Sequence, residues 1–326
     1  GFSVSDLAGN ARTTAGGSDR SVTYDSAAPT LTLAQASGQV DPTNGSSIQF
    51  TLSSNEALDG TTITAADFSV TNGGTPTITG SGSTWTVTTT ASGQGAVTIA
   101  LSGTVSISDL AGNATTTAGG TDRSVTYDSV APSVTINQAA SQVDPTTSKT
   151  ALSFTAVFSE ALTAAPTTAK FTVGGTAIGF TVSSVTLVSG TTYTVVVAGA
   201  GNATNGSVTL SMAAGQVLDL AQNGNTASTS SDNSVTWDTA APTLTLTQGP
   251  TQSDPTSGST IWFRLSAGED LSAGTITASD FTVTNGTFVG IDTTSATLSL
   301  SQVRIIVRAT AQGAVTIAPS GTFSVT

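Results

Sequence analysis

With no histidine and no cysteine, site chemistry in this chain falls to its twenty Asp and Glu side chains. Carboxylates alone support two kinds of chemistry. A pair of them can act as acid and base in glycoside hydrolysis, and several together can bind a hard cation through oxygen. The usual general base near neutrality and the usual transition-metal ligand are missing with His. Disulfides, thiolate zinc sites and thiol nucleophiles are missing with Cys. Seventeen of the twenty acids recur in register. They form the series Asp6, Asp109, Asp219; Asp19, Asp122, Asp232; Asp25, Asp128, Asp238; Asp41, Asp144, Asp254; Glu56, Glu160, Glu269; and Asp67 with Asp280, where the middle copy has Lys170. Only Asp59, Asp270 and Asp292 stand outside these series. An active site needs one unique constellation, whereas a repeated structural task needs the same residue in every copy. The chain therefore reads as a non-enzyme.

The elements that position these acids repeat with them. Asp6-Leu7-Ala8-Gly9-Asn10 returns as Asp109-Leu110-Ala111-Gly112-Asn113 and as Asp219-Leu220-Ala221-Gln222-Asn223, steps of 103 and 110 residues. Ala28-Pro29 returns in the same steps at Ala131-Pro132 and Ala241-Pro242. A period this long suits small independent domains and is too long for a solenoid repeat. Within each period, apolar residues alternate over short runs: Ile48, Phe50, Leu52; Phe68, Val70; Trp85, Val87; Val97, Ile99, Leu101; Val125, Tyr127. Period-two runs bounded by Gly, Asn, Asp and Ser predict about seven short strands. The fold class expected is all-β, a tandem end-to-end array of about three Ig-like β-sandwiches of 103–110 residues. Residues 28–130 and 131–240 hold two such domains, and 241–326 hold a third that lacks the counterpart of the strand at 124–128. Residues 1–27 carry that strand, Ser21-Val22-Thr23-Tyr24-Asp25, as the last strand of a preceding or neighbouring domain.

The strings Gln39-Val40-Asp41-Pro42-Thr43, Ser54-Asn55-Glu56-Ala57-Leu58, Asp67-Phe68-Ser69-Val70-Thr71-Asn72-Gly73 and Phe158-Ser159-Glu160-Ala161 resemble the bacterial Ig-like repeats of giant surface proteins. The loop at 109–113 and the segment Val125-Thr126-Tyr127-Asp128 before Ala131-Pro132 add to that resemblance. It covers essentially the whole chain. It implies a secreted or surface-displayed, extracellular bacterial protein of the adhesin or biofilm type, with a structural, cell-adhesion role. It also implies that calcium can stiffen the junctions between domains.

Sandwich topology places Asp41 and Asp128 at one pole of a domain, and Glu56, Asp109 and Asn113 at the other. End-to-end stacking then brings Asp41 and Asp128 toward Glu160 and Asp219 of the next copy. The candidate Ca²⁺ ligands are Asp25, Glu56, Asp109, Asp41, Asp128, Glu160, Asp219, Asp144, Asp238 and Glu269, because Ca²⁺ takes six to eight oxygens. A second reading stands beside this one. Asp before Pro starts turns, and the first Asp of Asp-Leu-Ala-Gly-Asn can bond its own backbone.

A net charge of −12 with no basic patch excludes nucleic acid and disfavours anionic membrane surfaces. No apolar run reaches the length of a membrane helix. The partners expected are flanking repeats of the same chain or neighbouring copies of it. Two accounts of the chain's ends remain open: a window of a longer array, or a filament or sheath subunit whose first strand completes another copy's third domain. The repetition of Phe2-Ser3-Val4 at Phe323-Ser324-Val325 favours the window. A ligand-binding role for sugar or ice would use exposed Thr rows such as Thr86, Thr88 and Thr90. Trp85, Trp237 and Trp262 read as core or edge aromatics.

Overall fold

A computed structural model describes residues 1–103, 105–271, 275–292 and 301–321. Phe323-Ser324-Val325 lie outside the described residues. The protein is all-β, strands joined by turns and short 3-10 segments. Two compact units are present, one of Gly1–Asp144 with Ser148–Val235 and one of Pro145–Thr147 with Thr236–Thr326.

In the first unit a small hairpin, β1 (Val4–Ser5) with β2 (Ala11–Arg12), opens the chain. It precedes a sandwich built from β3 (Leu31–Gln35), β4 (Ser47–Ser54), β5 (Phe68–Thr71), β6 (Thr77–Ser81), β7 (Thr84–Thr90) and β8 (Gly95–Leu101). Its remaining strands are β9 (Ile107–Ser108), β10 (Ala114–Thr115), β11 (Ala118–Gly119) and β12 (Ser124–Tyr127). One sheet has the order β11-β3-β4-β7-β6 and the facing one β12-β8-β5. The alternation of β4 explains the core. Ile48, Phe50 and Leu52 point inward and are fully buried, while Gln49, Thr51 and Ser53 point out. Val87, Val97, Ile99 and Val125 close the same core from the other strands.

The second sandwich repeats this with β13 (Val134–Gln138), β14 (Leu152–Phe158), β15 (Thr172–Gly175), β16 (Phe180–Ser189), β17 (Thr192–Gly199), β18 (Gly206–Ser211) and β19 (Ser234–Trp237). The sheets are ordered β13-β14-β17-β16 and β15-β18-β19. Phe154, Ala156 and Phe158 take the places of Phe50 and its neighbours, and Phe158 meets the edge of Tyr193 at 5.8 Å.

The other unit contains β20 (Leu244–Gln248), β21 (Thr260–Ala267), β22 (Phe281–Thr284), β23 (Gly286–Asp292), β24 (Gln302–Ala309) and β25 (Thr316–Pro319). Its sheets are β20-β21-β24-β23 and the two-stranded β22-β25. A core of Leu265, Phe281, Val303, Ile305 and Val307 forms, yet Phe263, Val315 and Ile317 are only partly buried.

Residues 21–25, expected to be the last strand of a preceding or neighbouring domain, pair with no strand among the described residues. Val22 is 96% and Tyr24 88% exposed. The segment has the apolar alternation of β12.

Candidate metal centre

Among the described residues two groups of three carboxylates form, and each draws on consecutive repeats. Asp25, Glu56 and Asp109 each place one oxygen within 4.8 Å of the others, and Asp128, Glu160 and Asp219 do the same. The elements that bring them together are the same in both. Glu56 follows β4, and the chain after it makes a bridge between Leu58 and Asp109. Glu160 follows β14, and Leu162 bridges to Asp219 in the same way. The third member, Asp25 or Asp128, leads in from the repeat before.

The Asp of the repeated loop is buried in both places, 2% exposed at Asp109 and 1% at Asp219. Its burial is tolerable because the loop satisfies it. Asp109 Oδ1 accepts from the Ala111 and Asn113 amides, each at 2.8 Å, and Oδ2 accepts from Asn113 Nδ2 at 2.8 Å. Those bonds, the Asn113 side chain foremost, hold the Asp109 carboxyl below the usual aspartate range. Glu56 is moved the other way, by desolvation first and then by the charges of Asp25 and Asp109. Glu160 is likewise raised by desolvation, then by Asp128 and Asp219. Each group thus contains a carboxylate whose ionisation its neighbours oppose, a penalty a cation would remove.

Turn chemistry is present in the same residues. Asp25 Oδ1 accepts from the Ala27 amide at 3.0 Å, and Asp128 Oδ1 from Val130 at 3.0 Å. Other series are turn chemistry. Asp67 caps its 3-10 segment by accepting from Thr64 at 2.7 Å, and Asp280 does so from Thr277 at 2.6 Å. The Lys170 copy keeps the turn without that cap.

Four candidate ligands stand apart from these groups. Asp41 was expected to approach Glu160 and Asp219. Instead its Oδ1 accepts from the Thr126 amide at 2.9 Å and clamps the last strand of its own sandwich. Asp144 belongs to neither group. Asp238 Oδ1 accepts from the Ala240 amide at 2.8 Å, and neither it nor Glu269 joins a three-carboxylate group among the described residues. Two asparagines matter more than their sequence context suggested. Asn113 Nδ2 donates to the Asp25 carbonyl at 3.3 Å, and Asn223 Nδ2 to the Asp128 carbonyl at 2.9 Å. Their recurrence as the fifth residue of the repeated loop was the available signal. In the second loop, Gln222 occupies the left-handed conformation (φ 74°) that Gly112 adopts at 90°.

The Thr row is a sheet face: Thr86 and Thr88 of β7 pair with Thr79 and Thr77 of β6. Trp237 is buried with its indole donating to the Thr147 carbonyl at 3.2 Å, and Arg304 lies 4.6 Å over the Trp262 ring. Both are structural aromatics, as is half-buried Trp85.

No protein-family model and no curated protein matches the chain. Among solved structures it is similar to invasin, a bacterial integrin-binding protein, at 14% identity and TM-score 0.33, over 91% of this chain and 57% of that one. InvD of Yersinia pseudotuberculosis aligns at 13% identity and TM-score 0.34, over 91% of this chain and 84% of that one. The S-layer protein rSbsC aligns at 14% identity and TM-score 0.21, over 90% and 53%. The chain thus spans little more than half the length of invasin.

Proposed function

We propose that this chain is a structural segment of a secreted or surface-displayed bacterial protein, an array of Ig-like sandwiches that projects or spaces something at a cell surface. In this reading its repeats are residues 28–130, 131–240 and 241–326, with 1–27 belonging to a preceding or neighbouring repeat. Its partners are flanking repeats. The observation that carries the reading is the recurrence of one three-carboxylate group, Asp25–Glu56–Asp109 and Asp128–Glu160–Asp219, each time shared between consecutive repeats. Catalytic constellations occur once; joints recur.

The same groups are proposed as Ca²⁺ sites. Three carboxylates supply three to six oxygens, and water can supply the remainder. A bound Ca²⁺ would supply charge neutralisation and no more. Asp109 and Asp219 are held by their loops as fixed ligands, Glu56 and Glu160 lose their repulsion, and Asp25 and Asp128 tie in the preceding repeat. Without a cation, like charges repel across the joint and loosen it. Small-angle scattering of the chain with calcium and with excess chelator tests this. The expected result is a larger maximum dimension with calcium at unchanged circular dichroism. Identical profiles would overturn the joint reading.

A further inference from the structure

The chain has eight basic residues against twenty acidic ones, spread along the sequence. Strand pairing brings three of the eight together. In the sheet β20-β21-β24-β23, Arg264 of β21 stands directly opposite Arg304 of β24, and Thr260 opposite Arg308. Leu265, Val303, Ile305 and Val307 point into the core, so alternation puts Arg264, Arg304 and Arg308 together on the outer face. Arg308 is exposed and the other two are half-buried. Asp292 of β23 lies opposite Arg304 and is the one acid in register with them. The face keeps a positive surplus in a chain of net charge −12.

The corresponding faces of the other two sandwiches are neutral. By the same pairing register, Thr51, Thr86 and Thr90 stand in the first where the three arginines stand here, and Thr155, Thr194 and Ala198 in the second. The support beneath the arginines has changed with them. Trp262 replaces Gln49 and Ser153, and Gly249 replaces Ala36 and Ala139. The backbone bond that fixes this correspondence is kept: the Gly249 amide donates to the Trp262 carbonyl at 3.0 Å, as Ala36 does to Gln49 at 3.1 Å and Ala139 to Ser153 at 2.8 Å. A Cβ on Gly249 would come within 2.3 Å of the Trp262 ring, so the glycine is what makes room for the indole. Arg304 in turn lies 4.6 Å over that ring. The indole holds the guanidinium flat against the sheet by a cation–π contact.

This arrangement costs stability in the free chain. Like charges directly opposite each other on neighbouring strands repel. The Nε atoms of both Arg264 and Arg304 are also buried with no hydrogen-bond partner, and an unmet donor carries a desolvation penalty. An anion laid between the two guanidinium groups would remove the repulsion. A planar carboxylate suits the arginine fork, which can grip it with two parallel bonds.

We infer that this face binds an acidic polysaccharide through its carboxylate groups, with Arg264 and Arg304 sharing one carboxylate and Arg308 meeting another further along β24. The spacing selects a thin and sparsely charged polymer. Arg304 and Arg308 are four residues apart, about 14 Å along the strand. Duplex nucleic acid would set about eight phosphates against three arginines over that length. An anionic bilayer is a plane, and its charge would reach the acidic surface around the face within a Debye length. A single glycan strand follows the sheet and avoids both. Trp262 supports Arg304 and is not itself the sugar platform. The site owes nothing to the calcium joints.

Isothermal titration of the whole 326-residue chain with a polygalacturonate oligomer, in excess chelator, tests the assignment. The wild type should bind, more weakly as salt rises. Arg264→Gln with Arg304→Gln should weaken binding about tenfold or more at unchanged circular dichroism. Arg308→Gln, a change at an exposed position that leaves the fold intact, should weaken it as well. Lys149→Gln with Lys170→Gln changes the net charge as much as the arginine pair does and should leave the affinity as it was. No binding by the wild type would overturn the inference, as would undiminished affinity in Arg308→Gln or equal weakening by the lysine pair. Tighter binding to phosphatidylserine vesicles or to duplex DNA than to polygalacturonate at the same salt would also overturn it. With chelator present throughout, failure of the calcium joints alters none of these outcomes.

Discussion

Phe50 and Phe263 occupy the same place in two copies of one sandwich, yet they should not be worth the same. Phe50 is fully buried, whereas Phe263 is partly buried and lines a groove. Truncating a fully enclosed Phe to Ala costs about 3–5 kcal/mol, transfer and cavity terms together. A partly buried side chain forfeits less of the transfer term and leaves less cavity, so Phe263→Ala should cost less, about 2–3 kcal/mol. The two sandwiches need separate readouts, since the chain is not one two-state unit. Hydrogen exchange followed by mass spectrometry on peptides covering 47–54 and 260–267 supplies them, because each reports local opening. Equal losses at the two positions would refute the argument that Phe263 sits in a less enclosed core than Phe50 does. So would a Phe50→Ala cost below about 1 kcal/mol, the range of ordinary surface changes.

Other outcomes follow from the same geometry. In metal-free protein, Glu56 and Glu160 carry raised values when folded. Their ionisation therefore opposes folding, and thermal stability should rise as pH falls from neutrality toward the ordinary glutamate value. Asp6, Asp59 and Asp109 carry lowered values, so their contribution should be lost as pH falls below the ordinary aspartate value, giving a maximum between. Differential scanning calorimetry in chelator checks both limbs. Gln222→Gly should stabilise the second sandwich by about 1 kcal/mol, since a side chain in the left-handed region is costly and Gly112 fills the same place; hydrogen exchange on peptides of the second sandwich measures it. Asp67→Ala should cost about 1 kcal/mol by removing its bonds to Thr64, read by exchange at 64–71.

Much of the fold was legible because period-two alternation in short strands leaves little choice of face. Ile48, Phe50 and Leu52 are inward for that reason, and so are Phe154, Ala156 and Phe158. The repeat showed which acids keep a position, and one residue from each of three series, Asp128, Glu160 and Asp219, meets in one place. Asp41 misled because topology gives the pole of a sandwich and not the partner of a side chain. A carboxylate one strand-end away from Asp128 is close enough to be taken by the Thr126 amide instead. The segment Ser21–Asp25 was read from its alternation as the last strand of a preceding or neighbouring domain, and it pairs with no strand among the described residues.

The central claim, that the shared carboxylate groups are cation-binding joints, is tested most directly by counting calcium. Isothermal titration of the chelator-treated chain should find two Ca²⁺ per chain, one after Glu160→Ala, and none after Glu56→Ala with Glu160→Ala. No binding to the wild type, or binding undiminished in the double variant, would contradict it.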